Sequence, residues 1–201
     1  EIVICGSFNN GSTNDDYFTM KCDPNFNLVW QQDYDVANGF EYATSLARDS
    51  SNNIAVTGYV NNAGIYEYHT LLYDPSGMPL WSTPNIENTG IAGLYIKTRV
   101  AIDTIAHHIY VSGAKANSSN DVFVYQIAPS GNTKWRKNFD GPANGHDAGT
   151  GLAVNGIGVV YLSALCTNTA SGFDITTIKI SQTPFYFPPD LNGDTADLAF
   201  Q

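Results

Sequence analysis

The segment "DPSGMPLW", residues 74–81, places a tryptophan four residues after the glycine of a Pro-Ser-Gly turn. The same frame returns as "APSGNTKW" at 128–135, and an earlier copy, "DPNFNLVW" at 23–30, keeps the spacing but lacks the glycine. Proline presets φ for a turn, and glycine accepts the positive φ that ends a tight hairpin. Each copy therefore predicts a hairpin whose second strand carries the tryptophan.

The tryptophans belong to a repeat of roughly 50 residues. Trp30, Trp81 and Trp135 are 51 and 54 residues apart, and three other markers return at similar intervals. These are a small residue inside an apolar strand, an acid that stands eight residues before the turn proline in the first three units and has a counterpart in the fourth, and an alanine in a second apolar run. In chain order they are Gly6, Gly58, Gly113 and Ala164; Asp16, Glu67, Asp121 and Asp174; and Ala47, Ala101, Ala153 and Ala199.

Each unit reads as four short strands. In the second unit these are "IAVTGYV" (54–60), "YHTLLYD" (68–74), "PLWST" (79–83) and "TRVAID" (98–103). No segment has capped helical periodicity, and evenly spaced strands with turn signals indicate an all-β fold. Four-stranded units at this period predict a β-propeller of antiparallel blades.

The chain contains about four blade equivalents, and we treat residues 1–201 as a single propeller domain or propeller segment. The repeat units are approximately 1–53, 54–108, 109–159 and 160–201. The four blades form either a small closed ring or an arc of a larger propeller. An arc would leave open blade edges that could support self-association.

Packing assigns the two repeated side chains to opposite sides of a blade. The tryptophan is predicted on the outer strand, where a large flat ring fills the gap between neighbouring blades. The alanine is predicted on the inner strand, because blades converge at the axis and leave room only for small side chains.

Composition excludes two classes of partner. Only 14% of the residues are charged, and the formal net charge is −10. Nucleic acids require clustered Lys and Arg to displace counterions, so we expect no nucleic-acid partner. No apolar run approaches the length of a membrane span, so we expect no membrane insertion.

The three cysteines, Cys5, Cys22 and Cys166, are odd in number and have no CxxC spacing. We therefore predict three free thiols rather than a disulfide framework or a zinc site. The chain opens directly in a strand, "EIVICGSF", which we interpret as a processed product or part of a longer protein. The acidic balance, with few lysines and many Asn and Thr, favours a secreted or cell-surface bacterial protein.

Three motifs, "DYFTMKCDPNFNLVW", "GPANGHDAGTGLAVN" and "NNIAVTGY", resemble the bacterial β-propeller repeat family abbreviated SBBP. The resemblance covers nearly the whole chain and is weakest at 181–191, where no tryptophan appears and prolines crowd the fourth strand. It implies a propeller and a secreted or surface location, and it implies no enzymatic activity.

The sequence offers little support for catalysis. Sialidase-type Asp boxes place the tryptophan three residues after the glycine rather than four, and the cysteine pair of quinoprotein dehydrogenases is missing. No Ser-His-Asp order, phosphate loop or inward-facing acid pair can be argued. "DLNGD" at 190–194 is similar to a calcium loop but lacks the closing glutamate. We therefore predict no catalytic residue, no metal and no cofactor, and lean against an enzyme.

Recognition is predicted on the long loops at one face, which are acidic and rich in Asn, Gly and Tyr. The recurring acids are expected to brace loops, and the Asn-Gly turns "NGFE" (38–41) and "NGHD" (144–147) are expected to be structural first. The candidate ligand-binding residues are Tyr34, Glu41, Tyr42, Tyr95, Asn144, His146 and Asp147.

These residues favour a non-catalytic binding or scaffold module that recognises a glycan or a protein, including an adhesive role. Two alternatives stay open. One is a carbohydrate-active or other hydrolytic propeller enzyme working through the acidic face. The other is a structural unit of a surface array or filament.

Overall fold

The structure is a computed structural model that describes residues 1–9, 11, 14–36, 39–62, 64–91, 98–116, 119–170 and 172–181. These residues form fourteen strands in four antiparallel sheets and no helix. The all-β prediction is thereby confirmed. Within the described ranges, no helix is long and apolar enough to cross a membrane.

The first and fourth sheets have three strands each, and the second and third have four. The first contains β1 (Ile2–Asn9), β2 (Asp15–Cys22) and β3 (Leu28–Tyr34). The second contains β4 (Phe40–Arg48), β5 (Ile54–Asn62), β6 (Ile65–Tyr73) and β7 (Asn85–Asn88). The third contains β8 (Arg99–Ile102), β9 (Ile109–Ala116), β10 (Asn120–Ile127) and β11 (Thr133–Phe139). The fourth contains β12 (Ala148–Val154), β13 (Val160–Asn168) and β14 (Gly172–Ile180).

Every sheet is a meander in which strands consecutive in sequence are neighbours. The first strand of each later sheet also packs against the sheet before it: β4 contacts β1 and β2, β8 contacts β4 and β5, and β12 contacts β8, β9 and β10. The sheets therefore follow one another in chain order. Of the repeated alanines on these first strands, Ala47 and Ala101 are half-buried and Ala153 is exposed.

A tyrosine of one sheet lies against a glycine of the next. The Tyr68 hydroxyl lies 2.7 Å from both the amide nitrogen and the carbonyl oxygen of Ala114, accepting from the first and donating to the second. A Cβ atom on Gly113 would overlap that hydroxyl, and one on Gly58 would lie 2.6 Å from the Tyr17 hydroxyl. Gly113 is therefore required by Tyr68 of the preceding sheet, whereas a Cβ atom on Gly58 would lie closer still to the Tyr42 carbonyl oxygen of the neighbouring strand.

The third junction uses a smaller pair. Val122 stands where the earlier sheets have their tyrosine, directly after the repeated acid, and it packs in one buried cluster with Ala164. Because valine is shorter than tyrosine, a methyl group fits where the earlier junctions require glycine. The substitution of alanine for glycine in the fourth unit thus follows the change of its partner.

Trp30 and Trp81 contact the hairpin turn of the following sheet. The Trp30 Nε1–H donates to the Pro75 carbonyl oxygen at 3.2 Å, and the Trp81 Nε1–H donates to that of Pro129 at 2.8 Å. Each indole also covers the turn glycine, Gly77 or Gly131. The rings are half-buried.

The turn chemistry agrees with the sequence prediction. Gly77 and Gly131 have φ of 88° and 91°, and Phe26 occupies the same position in the first copy with φ of 64°. Asp23 and Asp74 accept hydrogen bonds from backbone amides two and four residues later. The first copy therefore keeps the turn without glycine, at the cost of a conformation that side chains disfavour.

The outer strand of the second sheet differs from the prediction. "PLWST" was expected to form it, but Pro79 makes only an isolated bridge with Tyr73, and the strand is β7 instead. Pro79 and Pro84 have no amide hydrogen to donate, so a continuous ladder cannot run through this segment.

The two ends of the sheets differ in their connections. At one end, the turns between the first and second strands of the second, third and fourth sheets, 49–53, 103–108 and 155–159, have five or six residues. The hairpin turns 23–27 and 128–132 lie at the same end and have five residues each, as does the turn 74–78 that the Tyr73–Pro79 bridge closes. At the other end the connections between sheets, 35–39, 89–98 and 140–147, have five, ten and eight residues. We call the first the tight-turn end. We call the second, where β1, β5, β9 and β13 end and β2, β6, β10 and β14 begin, the variable-loop end.

All three cysteines are free, as predicted. Cys22 and Cys166 are buried, and Cys5 is half-buried. Burial raises the pKa of the Cys5 thiol to about 11 and also raises that of Cys166. Both are therefore neutral packing groups at ordinary pH.

Candidate functional site

Three of the predicted site residues, Tyr34, Glu41 and Tyr42, meet where the first sheet joins the second. Tyr34 ends β3, and Glu41 and Tyr42 follow the first residue of β4. The connection between these strands is only five residues long, which keeps the ends of β3 and β4 close together. This junction lies at the variable-loop end.

Tyr34 begins a chain of polar contacts that sequence reasoning missed. Its hydroxyl lies 2.7 Å from His69 Nδ1, and His69 Nε2 lies 3.2 Å from Glu67 Oε2. His69 is only 2% exposed, and burial is the main reason that its pKa is lowered, against the raising effect of Glu67. The only sequence signal was a polar residue inside the apolar strand "YHTLLY".

Tyr42 is fixed by an acid and an aromatic neighbour. Its hydroxyl donates to Asp15 Oδ2 at 2.6 Å, and its ring stacks on Tyr59 with centroids 5.0 Å apart. The hydrogen bond to Asp15 is the largest cause, ahead of burial, that raises the Tyr42 pKa to about 12. Tyr59 continues the aromatic contacts to Tyr66 at 5.7 Å.

Glu41 is fully buried, with 0% of its surface exposed. Among the residues that the structure describes, no hydrogen-bond donor meets either carboxylate oxygen with normal geometry. Burial is the main cause that raises its pKa to about 7, and the charges of Asp35 and Asp16 add to it, while the Val36 amide lowers it. The backbone of Gly39 packs directly against the Glu41 carboxylate, since a Cβ atom on Gly39 would overlap Glu41 Oε1.

Two aspartates complete a group around Glu41. Carboxylate oxygens of Asp16, Asp35 and Glu41 all lie within 4.8 Å of one another. Asp16 is buried and Asp35 is exposed, so the group opens to solvent on one side. Asp16 is also one of the recurring acids that the sequence assigned to bracing.

Asn144, His146 and Asp147 lie in the equivalent connection between the third and fourth sheets. Asp147 is buried and accepts from the Gly141 amide at 2.5 Å and the Thr167 amide at 2.7 Å. The His146 carbonyl accepts from the Thr167 hydroxyl, while the His146 side chain is exposed. Asn144 has φ of 47° and is exposed in the turn. Asp147 therefore acts as a brace between two sheets.

The predicted site residues thus divide into two groups at equivalent positions of two units. Tyr34, Glu41 and Tyr42 belong to the junction of the first and second sheets, and Asn144, His146 and Asp147 to that of the third and fourth. Tyr95 lies outside the described residues.

A third charged group, which sequence reasoning did not single out, joins the second sheet to the third. Buried Glu87 meets Lys115 Nζ at 3.1 Å and Arg136 Nε at 2.7 Å. Lys115 Nζ also lies 4.7 Å from the centre of the Phe123 ring. Because the acid is buried and both cations are held, this group fixes the two sheets together and is not a free binding surface.

No protein-family model matches the chain, and no curated protein matches it either.

Proposed function

We propose that the chain is a non-catalytic binding module, built as a β-propeller or an arc of one, that recognises a neutral glycan or a protein through its variable-loop end. In this proposal the four sheets are successive blades of the SBBP type, in a secreted or cell-surface bacterial protein. The module binds its ligand and releases it unchanged.

One observation carries the proposal, namely the contrast between the two ends of the sheets. The turns between the first and second strands of the second to fourth sheets have five or six residues, whereas the connections between sheets vary from five to ten residues. Loops of unequal length on a constant frame are the usual place for recognition, because they can change without disturbing the packed strands.

The frame supports this role because its contacts are repeated from one unit to the next. The tyrosine–glycine and tryptophan–turn contacts fix successive sheets and leave the variable-loop end free to differ. Exposed Phe40 and His146, with half-buried Tyr42, supply flat amphipathic surface there. Such side chains suit sugar rings and protein surfaces.

A hydrolytic enzyme is the second candidate, and Glu41 is the observation in its favour. A carboxyl group with a pKa of about 7 beside other carboxylates has the properties of a general acid. However, a general acid must reach the substrate, and Glu41 is 0% exposed. Non-catalytic binding therefore explains the site better.

A structural unit of an array or filament is the third candidate. Exposed apolar residues on β14 favour it, since Phe173 is 59% and Ile175 is 82% exposed. Apolar side chains on a strand at a sheet edge are suited to pairing with another chain.

The test is binding of the purified chain to an array of neutral glycans and to immobilised cationic proteins. The test variant combines Phe40→Lys, Pro142→Lys and His146→Lys, three exposed positions at the variable-loop end. Glu41 and Asp147 are left intact because both are buried and a lysine in either place would also disturb folding.

A matched control combines Asn25→Lys, Thr104→Lys and Ser130→Lys, which are exposed at the tight-turn end. It adds as many lysines, so a general charge effect would appear in both variants. We expect at least tenfold weaker binding for the first variant and unchanged binding for the control. Equal binding by both variants, or conversion of the ligand by the wild-type chain, would contradict the proposal.

A further inference from the structure

The carboxylates of Asp16, Asp35 and Glu41 converge at the junction of the first and second sheets, with ligand oxygens within 4.8 Å of one another. Two oxygens that bind one Ca²⁺ ion at about 2.3–2.6 Å can stand up to twice that length apart. The three groups can therefore reach one ion of this size from their present positions.

Glu41 provides an independent observation. It is completely buried, and neither of its oxygens accepts a hydrogen bond of normal geometry from the described residues. A buried carboxylate is normally paired, hydrogen-bonded or bound to a metal, because removing its charge from water is costly. A cation held between Glu41 and the two further acids would satisfy it.

The third unit shows how the same position is satisfied without an ion. Tyr17 pairs with Tyr34 and Val122 with Phe139 at the equivalent place, so Asp121 and Asp140 correspond to Asp16 and Asp35. Asp147 corresponds to Glu41, and a register shift follows each of them at Gly149/Gly151 and Ala43/Ser45. Asp147, however, is held by two backbone amides.

We infer that Asp16, Asp35 and Glu41 form a binding site for a divalent, oxygen-coordinated cation of the Ca²⁺ type, specific to the first unit. All three ligands are carboxylates, which hard cations prefer, and the group offers no nitrogen or sulfur donor for a transition metal. The sequence predicted no metal, because its one calcium-like segment lies at 190–194 and these three acids are separated in the chain. The site does not depend on the proposed glycan or protein binding.

Its effect is to fix two sheets together at the variable-loop end. Asp16 lies on β2 of the first sheet, Glu41 on β4 of the second, and Asp35 in the connection between them. An ion bound by all three joins these elements and offsets the mutual repulsion of the three carboxylates. We expect a dissociation constant on the order of 10⁻⁴ M, as in extracellular calcium modules.

The test uses the full chain and Ca²⁺ alone, after removal of metals with a chelator. Thermal unfolding is followed with CaCl₂, with MgCl₂ and with NaCl at equal ionic strength. At about 100 times the dissociation constant, Ca²⁺ should raise Tm by roughly 5–10 °C. Mg²⁺ should act less, since it demands shorter, octahedral bonds. Terbium luminescence excited through the nearby tyrosines provides a second readout.

Two variants and one matched control locate the effect. Asp35→Asn removes an exposed ligand without disturbing the fold, and Glu41→Gln removes the buried charge with the same shape. Asp140→Asn makes the same change as the first variant at the equivalent exposed position of the third unit. We expect both site variants to lose the Ca²⁺ shift and the terbium signal, and the control to keep them. No shift in the wild-type chain, a shift kept by Asp35→Asn, or a shift lost in Asp140→Asn would overturn the assignment.

Discussion

The indole nitrogen of Trp30 lies 3.2 Å from the carbonyl oxygen of Pro75, in the hairpin turn of the following sheet. Trp81 repeats the relationship with Pro129. The fixed interval between turn and tryptophan therefore has a structural reason. Trp30 and Trp81 each close over the turn of the next unit, and the turns at Pro75 and Pro129 each support the tryptophan of the unit before them.

Trp81→Ala should lower the free energy of unfolding by about 3 kcal/mol, the lower end of the range for large aromatic residues, because the ring is half-buried. Urea denaturation measures this change. Trp81→Phe keeps a ring over Gly131 but loses the hydrogen bond to Pro129. We expect it to lower the free energy of unfolding by about 1 kcal/mol. Equal stability of the alanine variant and the wild-type chain would show that the indole does not join the sheets.

Gly113→Ala should destabilise the chain by more than about 2 kcal/mol, because the new methyl group overlaps the Tyr68 hydroxyl. The third junction already contains the compatible smaller pair, Val122 and Ala164. In a Tyr68→Val background, Gly113→Ala should therefore lower the free energy of unfolding by at least about 1 kcal/mol less than it does in the wild-type chain.

A double-mutant cycle of the four proteins, followed by chemical denaturation, measures this coupling. Additive effects would mean that Tyr68 and Gly113 do not determine each other's size. The change from glycine to alanine in the fourth unit would then have another cause.

His69 should make the chain less stable in acid. Burial lowers its pKa in the folded chain below the ordinary value of 6.5, so the unfolded chain binds more protons below that pH. Stability from this residue is therefore present above about pH 6.5 and is lost as pH falls.

The measurement is the free energy of unfolding between about pH 7 and pH 5, in chelator, for the wild-type chain and His69→Gln. Tyr34, Tyr17 and Glu67 surround His69 in both proteins, and Glu41 contributes equally to both, so their difference isolates the histidine. The glutamine variant should lose less stability. A steeper loss in the variant would mean that His69 is charged in the folded chain.

Much of the strand pattern was predictable because it depends on local chemistry. Gly77 and Gly131 marked turns that need positive φ, and alternating apolar residues marked the strands on either side. The outer strand of the second sheet was predicted in the wrong place because the missing amides of Pro79 and Pro84 outweigh its strand composition. The repeated glycines could be recognised from the sequence, but the reason that Gly113 must be glycine could not, since it is the hydroxyl of Tyr68 in another unit.

The candidate site was less predictable. Glu41 and Asp147 look interchangeable in sequence, yet Asp147 accepts from two backbone amides while the glutamate, one methylene longer, meets no donor of normal geometry among the described residues. That difference depends on where each carboxylate stands relative to the backbone amides, which spacing along the chain does not contain. His69 was missed for a similar reason, because its partners come from β3 and from its own strand.

If the variable-loop end is the binding surface, a bound ligand must shield its side chains from solvent. Hydroxyl-radical footprinting of the chain, with and without its strongest array ligand, measures this shielding. We predict that the ligand protects side chains in 35–39 and 140–147, including exposed His146, and leaves the turns 23–27, 103–108 and 128–132 unchanged. Protection confined to those turns at the tight-turn end would contradict the account.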